Sequence, residues 1–345
     1  MTTGDRAPEG RWRRRPGWQK AALALVALLG VFCAGLVTLG FGLQHRYENR
    51  VHREDILGRD TGTPHGDRWS AGPLNLLLLG SDSRQGEPDQ DSYSGQRSDT
   101  VMLVHLNAAR DAATVVSIPR DSYVDIPARA GSWDGGPNKI NAALAFGGAS
   151  LAAETVHQLT GVTLDGVLVA DFVAVRRLVD VLGGITVCLP YPVVSADTGT
   201  AWPAGCHQLD GRAADDLVRQ RHNVPGEDFG RMHDQQLVVA AMVEKATAEN
   251  LLADPVRLDR LLTTAAESLT VDRDLDLARL ALAVRRITPE SLRFVTVPVA
   301  DADLSTPAGS AVLLDEQRSA ALFAAIRGDR LDDWFATEPS PSPGA

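Results

Sequence analysis

Cysteine is scarce in this chain: three residues of 345, at positions 33, 188 and 206. Cys188, Cys206 and His207 lack a fourth ligand at zinc spacing, which weakens a structural metal site there. Excess positive charge is also missing. Lys and Arg number 34 against 44 Asp and Glu, a formal charge of −10 that argues against a general nucleic-acid binder. Gly135 to Lys139 (GGPNK) lacks the Gly-Lys-Ser/Thr ending and the preceding apolar strand of a nucleotide P-loop. Ser81 and Ser83 sit in no Gly-x-Ser-x-Gly elbow and have no evident histidine partner, so they are weak nucleophile candidates. No internal repeat is visible.

What the chain does have is one long apolar run. Ala21 to Leu43 holds 23 residues without a charge, which as a helix spans roughly 34 Å, enough for a bilayer core of about 30 Å. Before it, six basic residues (Arg6, Arg11, Arg13, Arg14, Arg15, Lys20) face only Asp5 and Glu9. The basic flank orients the run with residues 1–20 in the cytoplasm and the remainder outside, a single-pass protein of the cytoplasmic membrane. A cleaved signal peptide is the competing reading, but the run is long for one and no small-x-small site ends it. An external location makes a Cys188–Cys206 disulfide the favoured state of those two residues, with two free thiols as the alternative.

Residues 44–72 are polar and read as an extracytoplasmic stalk, 73–335 as one folded domain, and 336–345 as a disordered Pro/Ser/Gly-rich tail. Within the domain, apolar periodicity predicts strands at 74–79, 100–107, 113–118, 166–170, 184–189 and 292–299. Helices are predicted at 140–146, 150–160, 172–182, 211–218, 231–249, 255–269, 275–287 and 314–326. Gly183-Gly184 stops the third of these. The alternation indicates an α/β fold.

Three predicted strand ends carry Asp and Arg together: Asp82 with Arg84 after LLLLGS, Arg97 with Asp99 before VMLVHL, and Arg120 with Asp121 after VVSIP. Open α/β sheets bind ligands at such ends, and mixed charges suit a metal beside an anionic phosphate. Asp82 and Asp99 are candidate magnesium ligands. By themselves they read more readily as loop-capping carboxylates or partners of Arg84 and Arg97. Arg120 is equally open to a structural bridge with Asp121 or Asp125. Arg219 and Arg221 are two apart, so an extended segment points both to one side as a phosphate claw. A solvated helix end with these arginines facing Asp215 and Asp216 fits the spacing as well. Lys139 and Asn141 precede a helix within reach of a site. His105, His222 and His233 read as core or surface residues.

Six segments taken together resemble the LytR-CpsA-Psr family of cell-wall glycopolymer ligases. They are Asn75 to Arg84 (NLLLLGSDSR), Arg97 to Asn107 (RSDTVMLVHLN), Val116 to Pro127 (VSIPRDSYVDIP), Asn138 to Gly148 (NKINAALAFGG), Leu178 to Val187 (LVDVLGGITV) and Leu209 to Gln236. The resemblance covers about residues 72–335. It implies a three-layer α/β/α domain with a central mixed sheet and a hydrophobic groove for a polyprenyl chain. It also implies the reaction: a glycopolymer moves from a polyprenyl pyrophosphate carrier onto a peptidoglycan sugar hydroxyl, forming a phosphodiester outside the cytoplasmic membrane.

By the same resemblance Asp82 and Asp99 hold magnesium, or manganese in its place, and Arg97, Arg120, Arg219 and Arg221 grip the pyrophosphate. Arg231 and Gln235 match positions near the head group, and Asp82 or Asp121 is the base for the sugar hydroxyl. Many members carry an arginine where this chain has Asp234, which puts one head-group contact in doubt. Two other functions fit the same site. One is a pyrophosphatase that cleaves the carrier lipid with water. The other is a non-catalytic lipid-carrier binding or attenuator-type regulatory protein, although the chain has no DNA-binding motif.

Overall fold

The computed structural model describes residues 51–58, 69, 71–81, 98–220, 224–248 and 254–337. Arg50–Ala345 forms one compact unit. The run Ala21–Leu43 lies outside the described residues, and among those described no helix is long and apolar enough to cross a membrane.

The chain begins its described course with β1 (His52–Glu54), β2 (Leu74–Ser81), β3 (Ser98–Leu106) and β4 (Ala113–Ile118). A hairpin of β5 (Tyr123–Ile126) and β6 (Gly136–Lys139) leads to α1 (Ala142–Thr160), followed by β7 (Gly166–Asp171), α2 (Phe172–Val181) and β8 (Ile185–Leu189). Two short strands, β9 (Val193–Val194) and β10 (Ala201–Trp202), precede β11 (Gly205–Leu209), α3 (Gly211–Arg219), α4 (Asp228–Ala248) and α5 (Pro255–Ser268). The rest is β12 (Leu269–Asp272), α6 (Leu277–Val284), β13 (Leu292–Thr296), the hairpin β14 (Val299–Thr306) and β15 (Gly309–Leu314), α7 (Glu316–Arg327) and α8 (Leu331–Thr337).

Seven strands make a mixed central sheet in the order β1-β12-β7-β2-β3-β4-β13. β2 runs parallel to β7 and antiparallel to β3, and β3 is antiparallel to β4. The carboxyl ends of β2, β4 and β7 and the start of β3 therefore share one end of the sheet. β2 is buried along nearly its whole length, which is why its sequence is a continuous apolar run rather than an alternation. Leu77 and Leu79 join a core with α1 and α7 residues such as Leu151, Val156 and Leu322. Leu74 and Leu76 join another with Ala266 of α5 and Leu277 of α6. Successive residues of a strand point to opposite faces, so these two cores are helical layers on the two sides of the sheet, the three-layer arrangement expected.

The predicted helices at 140–146 and 150–160 are the two segments of α1, separated where Gly147 and Gly148 leave helical geometry. α2 is capped by Asp171, whose carboxylate accepts from the Ala174 amide at 2.7 Å, and ends before Gly183 and Gly184, both at positive φ. Cys188 and Cys206 lie directly opposite each other on β8 and β11 and are disulfide-bonded.

Several boundaries differ from the sequence reading. Part of the expected stalk belongs to the sheet: His52–Glu54 pair in parallel with β12 at the edge, and the amides of Ile56 and Leu57 donate to Asp272 Oδ1 at 3.1 and 3.0 Å. Residue 269, the expected end of α5, instead opens β12, a central-sheet strand of four residues. The expected strand 292–299 stops at Thr296, and a separate antiparallel hairpin follows. The helix α8 extends through Thr337, so the first two residues of the expected tail are ordered; residues 338–345 lie outside the described set.

Candidate functional site

The site end of the sheet is shaped first by a glycine. A Cβ on Gly80 would stand 2.7 Å from Thr100 Cβ, so only glycine lets β2 and β3 close together here. The register then shifts between Gly80 and Ser81, a bulge-like irregularity of the kind that re-aims side chains. Beside it, Ser98 Oγ donates to the Thr100 carbonyl at 2.7 Å, and Thr100 Oγ1 donates to Gln235 Oε1 of α4 at 2.8 Å. The strand start carrying Asp99 is thereby tied to the first half of α4.

Arg120 is the hub. Leaving β4 through Pro119, its guanidinium donates to Asp99 Oδ1 at 2.5 Å and to Asp228 Oδ2 at 2.9 Å, and lies 3.5 Å from Asp121 Oδ2. Its side chain is 16 % exposed. Burial works against its charge, but Asp228, Asp121 and Asp99 together outweigh that and hold its pKa above the ordinary arginine value. Arg231 reaches Asp228 Oδ1 at 3.3 Å and Asp99 Oδ1 at 3.8 Å. Burial alone would raise the Asp228 carboxyl; Arg231 and Arg120 overcome it and leave its pKa lowered. Lys139 sits 3.4 Å from Asp121 Oδ1, which also accepts from Asn141 Nδ2 at 3.3 Å. Three carboxylates and three cations thus interlock at one sheet end.

These groups border a cavity of about 520 Å³. Its wall includes Asp99, Arg120, Asp121, Asp228, Arg231 and Gln235, with Met102, Ile118, Phe229, Met232 and Val312 supplying apolar surface. A pocket lined by both charged and apolar groups can hold a polar head group and the start of an apolar tail at once.

Of the residues expected from sequence, the structure brings Asp99, Arg120, Asp121, Arg231 and Gln235 to one cavity, with Lys139 joined through Asp121. Asp82, Arg97 and Arg221 lie outside the described residues. Arg219 does not line this cavity. It ends α3, donates from Nε to Asp215 Oδ1 at 2.6 Å and stacks on Phe172 with its guanidinium carbon 4.1 Å from the ring centre. That is the helix-end arrangement for Asp215. Asp216 instead accepts from Ser195, Thr198 and Gln220. Sequence reasoning missed Asp228, whose only signal is its position three residues before Arg231 on the same helix.

Asp234 turns away from the cavity into the core. It is wholly buried, accepts from Tyr191 Oη at 2.9 Å, and leaves its other oxygen with no hydrogen-bond partner. Burial pushes its carboxyl up to about 7, against the pull of the Tyr191 hydroxyl. His105 is buried between Asn75 and Asp329 in a structural role, and His233 is held below the usual histidine range by burial.

Among the described residues no three His, Cys, Asp or Glu side chains gather as a ready-made metal set. Asp99 nevertheless suits a hard dication, which takes one or two carboxylates and completes its shell with water and phosphate oxygens. Its side chain is one-tenth exposed at the cavity wall.

Comparison with known proteins gives concordant results. The model of the LytR_cpsA_psr family matches residues 43–325. A probable cell wall biosynthesis protein, LcpB, of Corynebacterium glutamicum is 33 % identical over 334 residues, covering 93 % of this chain and 75 % of that protein. A polyisoprenyl-teichoic acid–peptidoglycan teichoic acid transferase, TagU, of Enterococcus faecalis is 31 % identical over 214 residues, 62 % of this chain and 66 % of that one. Among solved structures, the LytR-Csp2A-Psr enzyme from Actinomyces oris superposes with a TM-score of 0.62 at 23 % identity, covering 80 % of this chain and 96 % of its own, a likeness of fold.

Proposed function

Because the chain belongs to the LytR_cpsA_psr family, we propose that it is a membrane-anchored phosphotransferase of cell-wall assembly. It moves a glycopolymer from a polyprenyl pyrophosphate carrier to a sugar hydroxyl of peptidoglycan and leaves a phosphodiester. Residues 21–43 anchor it, and the folded part works outside the cytoplasmic membrane. The observation that carries the reading is the Arg120 hub. Guanidinium groups of Arg120 and Arg231 lie within one carboxylate network on the wall of a part-apolar cavity.

Phosphoryl transfer asks a protein for positioning and charge neutralisation more than for covalent help. Arg120 and Arg231 exchange carboxylate oxygens for pyrophosphate oxygens and offset the charge that develops there. Arg97 and Arg221, at the family's matching positions, add to the grip. Gln235 and Thr100 fix α4 against β3 so that the two arginines keep their spacing. The acceptor hydroxyl loses its proton to a carboxylate, Asp121 or Asp82, as its oxygen bonds to the phosphorus bearing the sugar. The bond from that phosphorus to the bridging oxygen breaks, and polyprenyl phosphate leaves. Lys139, 3.4 Å from Asp121 Oδ1, and Asn141 hold that carboxylate in place. Magnesium, when bound through Asp82 and Asp99, neutralises further charge on the pyrophosphate.

The test uses the full chain in detergent with a labelled polyprenyl-pyrophosphate saccharide, magnesium and peptidoglycan fragments. Label should enter the glycan with the native chain and not with Asp99→Ala. Release of label without transfer would replace this reading with a pyrophosphatase. Tight binding of several donors without turnover would replace it with a carrier-binding protein.

A further inference from the structure

A second cavity, of about 500 Å³, lies apart from the first and shares no residue with it. Four arginines line it: Arg110 from the β3–β4 turn, Arg279 from α6, and Arg285 and Arg286 just beyond α6. Trp69 and Leu282 line it with three alanines, and Leu282 is 58 % exposed. Such a concentration of positive charge is out of keeping with a chain of net charge −10. Arg285 donates to the Leu282 carbonyl at 3.2 Å, which orients the guanidinium without cancelling its charge. Arg279 pairs with the less exposed Asp276 at 3.5 Å, but its own side chain stays 58 % exposed.

We propose that this cleft holds the phosphate of an anionic phospholipid, such as phosphatidylglycerol, in the bilayer that anchors the chain. Planar guanidinium groups match phosphate oxygens in a bidentate way. Tryptophan settles at head-group depth, and an exposed leucine amid arginines suits the boundary between head groups and acyl chains. The chain path supports the same occupant. Only residues 44–51 separate the apolar run from β1, a tether of about 29 Å at full extension. Val51 and Trp69 pack on the same core cluster as Leu277, Ala283 and Ile287 around α6. Arg53 of β1 donates to the carbonyl of Leu275, two residues before α6. The basic cleft is therefore carried by elements packed with β1, the first described strand after the apolar run in sequence. The inference rests on the reading that residues 21–43 cross the membrane.

The experiment uses the full chain with Cys33→Ser and Leu282→Cys, a nitroxide on the new thiol, and nanodiscs of phosphatidylcholine with or without phosphatidylglycerol. Collision of the label with oxygen and with an aqueous nickel chelate reports its depth. In discs containing phosphatidylglycerol the label should be severalfold less accessible to nickel than in plain discs. A variant with Arg279→Gln, Arg285→Gln and Arg286→Gln should lose that protection while remaining in the disc. Equal nickel accessibility in both discs, with the chain incorporated, overturns the proposal. So does equal protection in plain discs on adding soluble glycerol phosphate, which would make the cleft an ion site open to solution. A chain that stays outside the discs refutes the anchor instead. The same label then decides the headgroup question by whether phosphatidylglycerol vesicles shield it and phosphatidylcholine vesicles do not.

Discussion

Replacing Asp234 by Asn should make the protein more stable, and more so as pH rises. Asp234 is fully buried, and one carboxylate oxygen has no partner. Burial pushes its carboxyl from the usual 3.8 up to about 7. The folded protein therefore holds a proton on Asp234 that the unfolded chain has already released between about pH 4 and pH 7. A state that binds more protons loses relative stability as they become scarce, so the folded state is destabilised through that window and no further above it. The full shift of about 3 units corresponds to a penalty of order 4 kcal/mol, at about 1.4 kcal/mol per unit. Between pH 5 and pH 8 the part that develops is roughly 2 to 3 kcal/mol. Asn keeps the shape and the acceptor for Tyr191 but carries no charge, so its stability lacks this component. The assay is urea unfolding of the full chain in detergent, followed by tryptophan fluorescence, for both proteins at each pH. Other titrating groups are common to both and cancel in the difference. A gap between the two proteins that is the same at pH 5 and pH 8 would refute the reasoning.

Arg120→Lys keeps the charge but loses the fork that spans Asp99 and Asp228, so transfer should fall by about 10²-fold or more in an assay of label incorporation. Near-native turnover would remove Arg120 from the chemistry. Chelation of divalent cations should abolish transfer and magnesium should restore it; undiminished turnover in chelator would count against metal binding at Asp82 and Asp99. Reducing the Cys188–Cys206 bond, which spans a sequence separation of 18, should cost about 3 kcal/mol in the chain-entropy account, read as a lower urea midpoint after reduction.

The strands that build the middle of the sheet were legible because burial on both faces leaves an apolar signature. β2 and β4 are almost entirely buried, and their sequences are LNLLLLGS and ATVVSI. β1, by contrast, is HRE, three polar residues held at the edge by backbone pairing and by Asp272. No local pattern could announce it. β14, VADADLST, is exposed along most of its length, so its pairing with β15 leaves no hydrophobic alternation to read. At the site, Asp99, Arg120 and Asp121 were visible because strand ends concentrate charge where the apolar run stops. Asp228 was not, since an acidic residue opening a helix looks like a response to the helix dipole. Its second bond, to Arg120 from 108 residues away, exists only in the folded chain. Arg219 is a case that spacing alone left open. The spacing fits either a phosphate claw with Arg221 or a helix end facing Asp215, and the structure engages Arg219 with Asp215 and Phe172.

The short edge strand β1 also has a mechanical meaning. Among the described residues it is the first element along the chain. β1 runs parallel to β12, its Arg53 holds the carbonyls of Arg273 and Leu275, and Asp272 holds the amides of Ile56 and Leu57. Tension is therefore taken up at the outer edge of the sheet and passed to β12, with β7 and β2 still between that edge and β3, where Asp99 stands. A pull on the N-terminal end of the described fold would thus be spent on an edge ladder before it could disturb the spacing of the charged groups at the far strands.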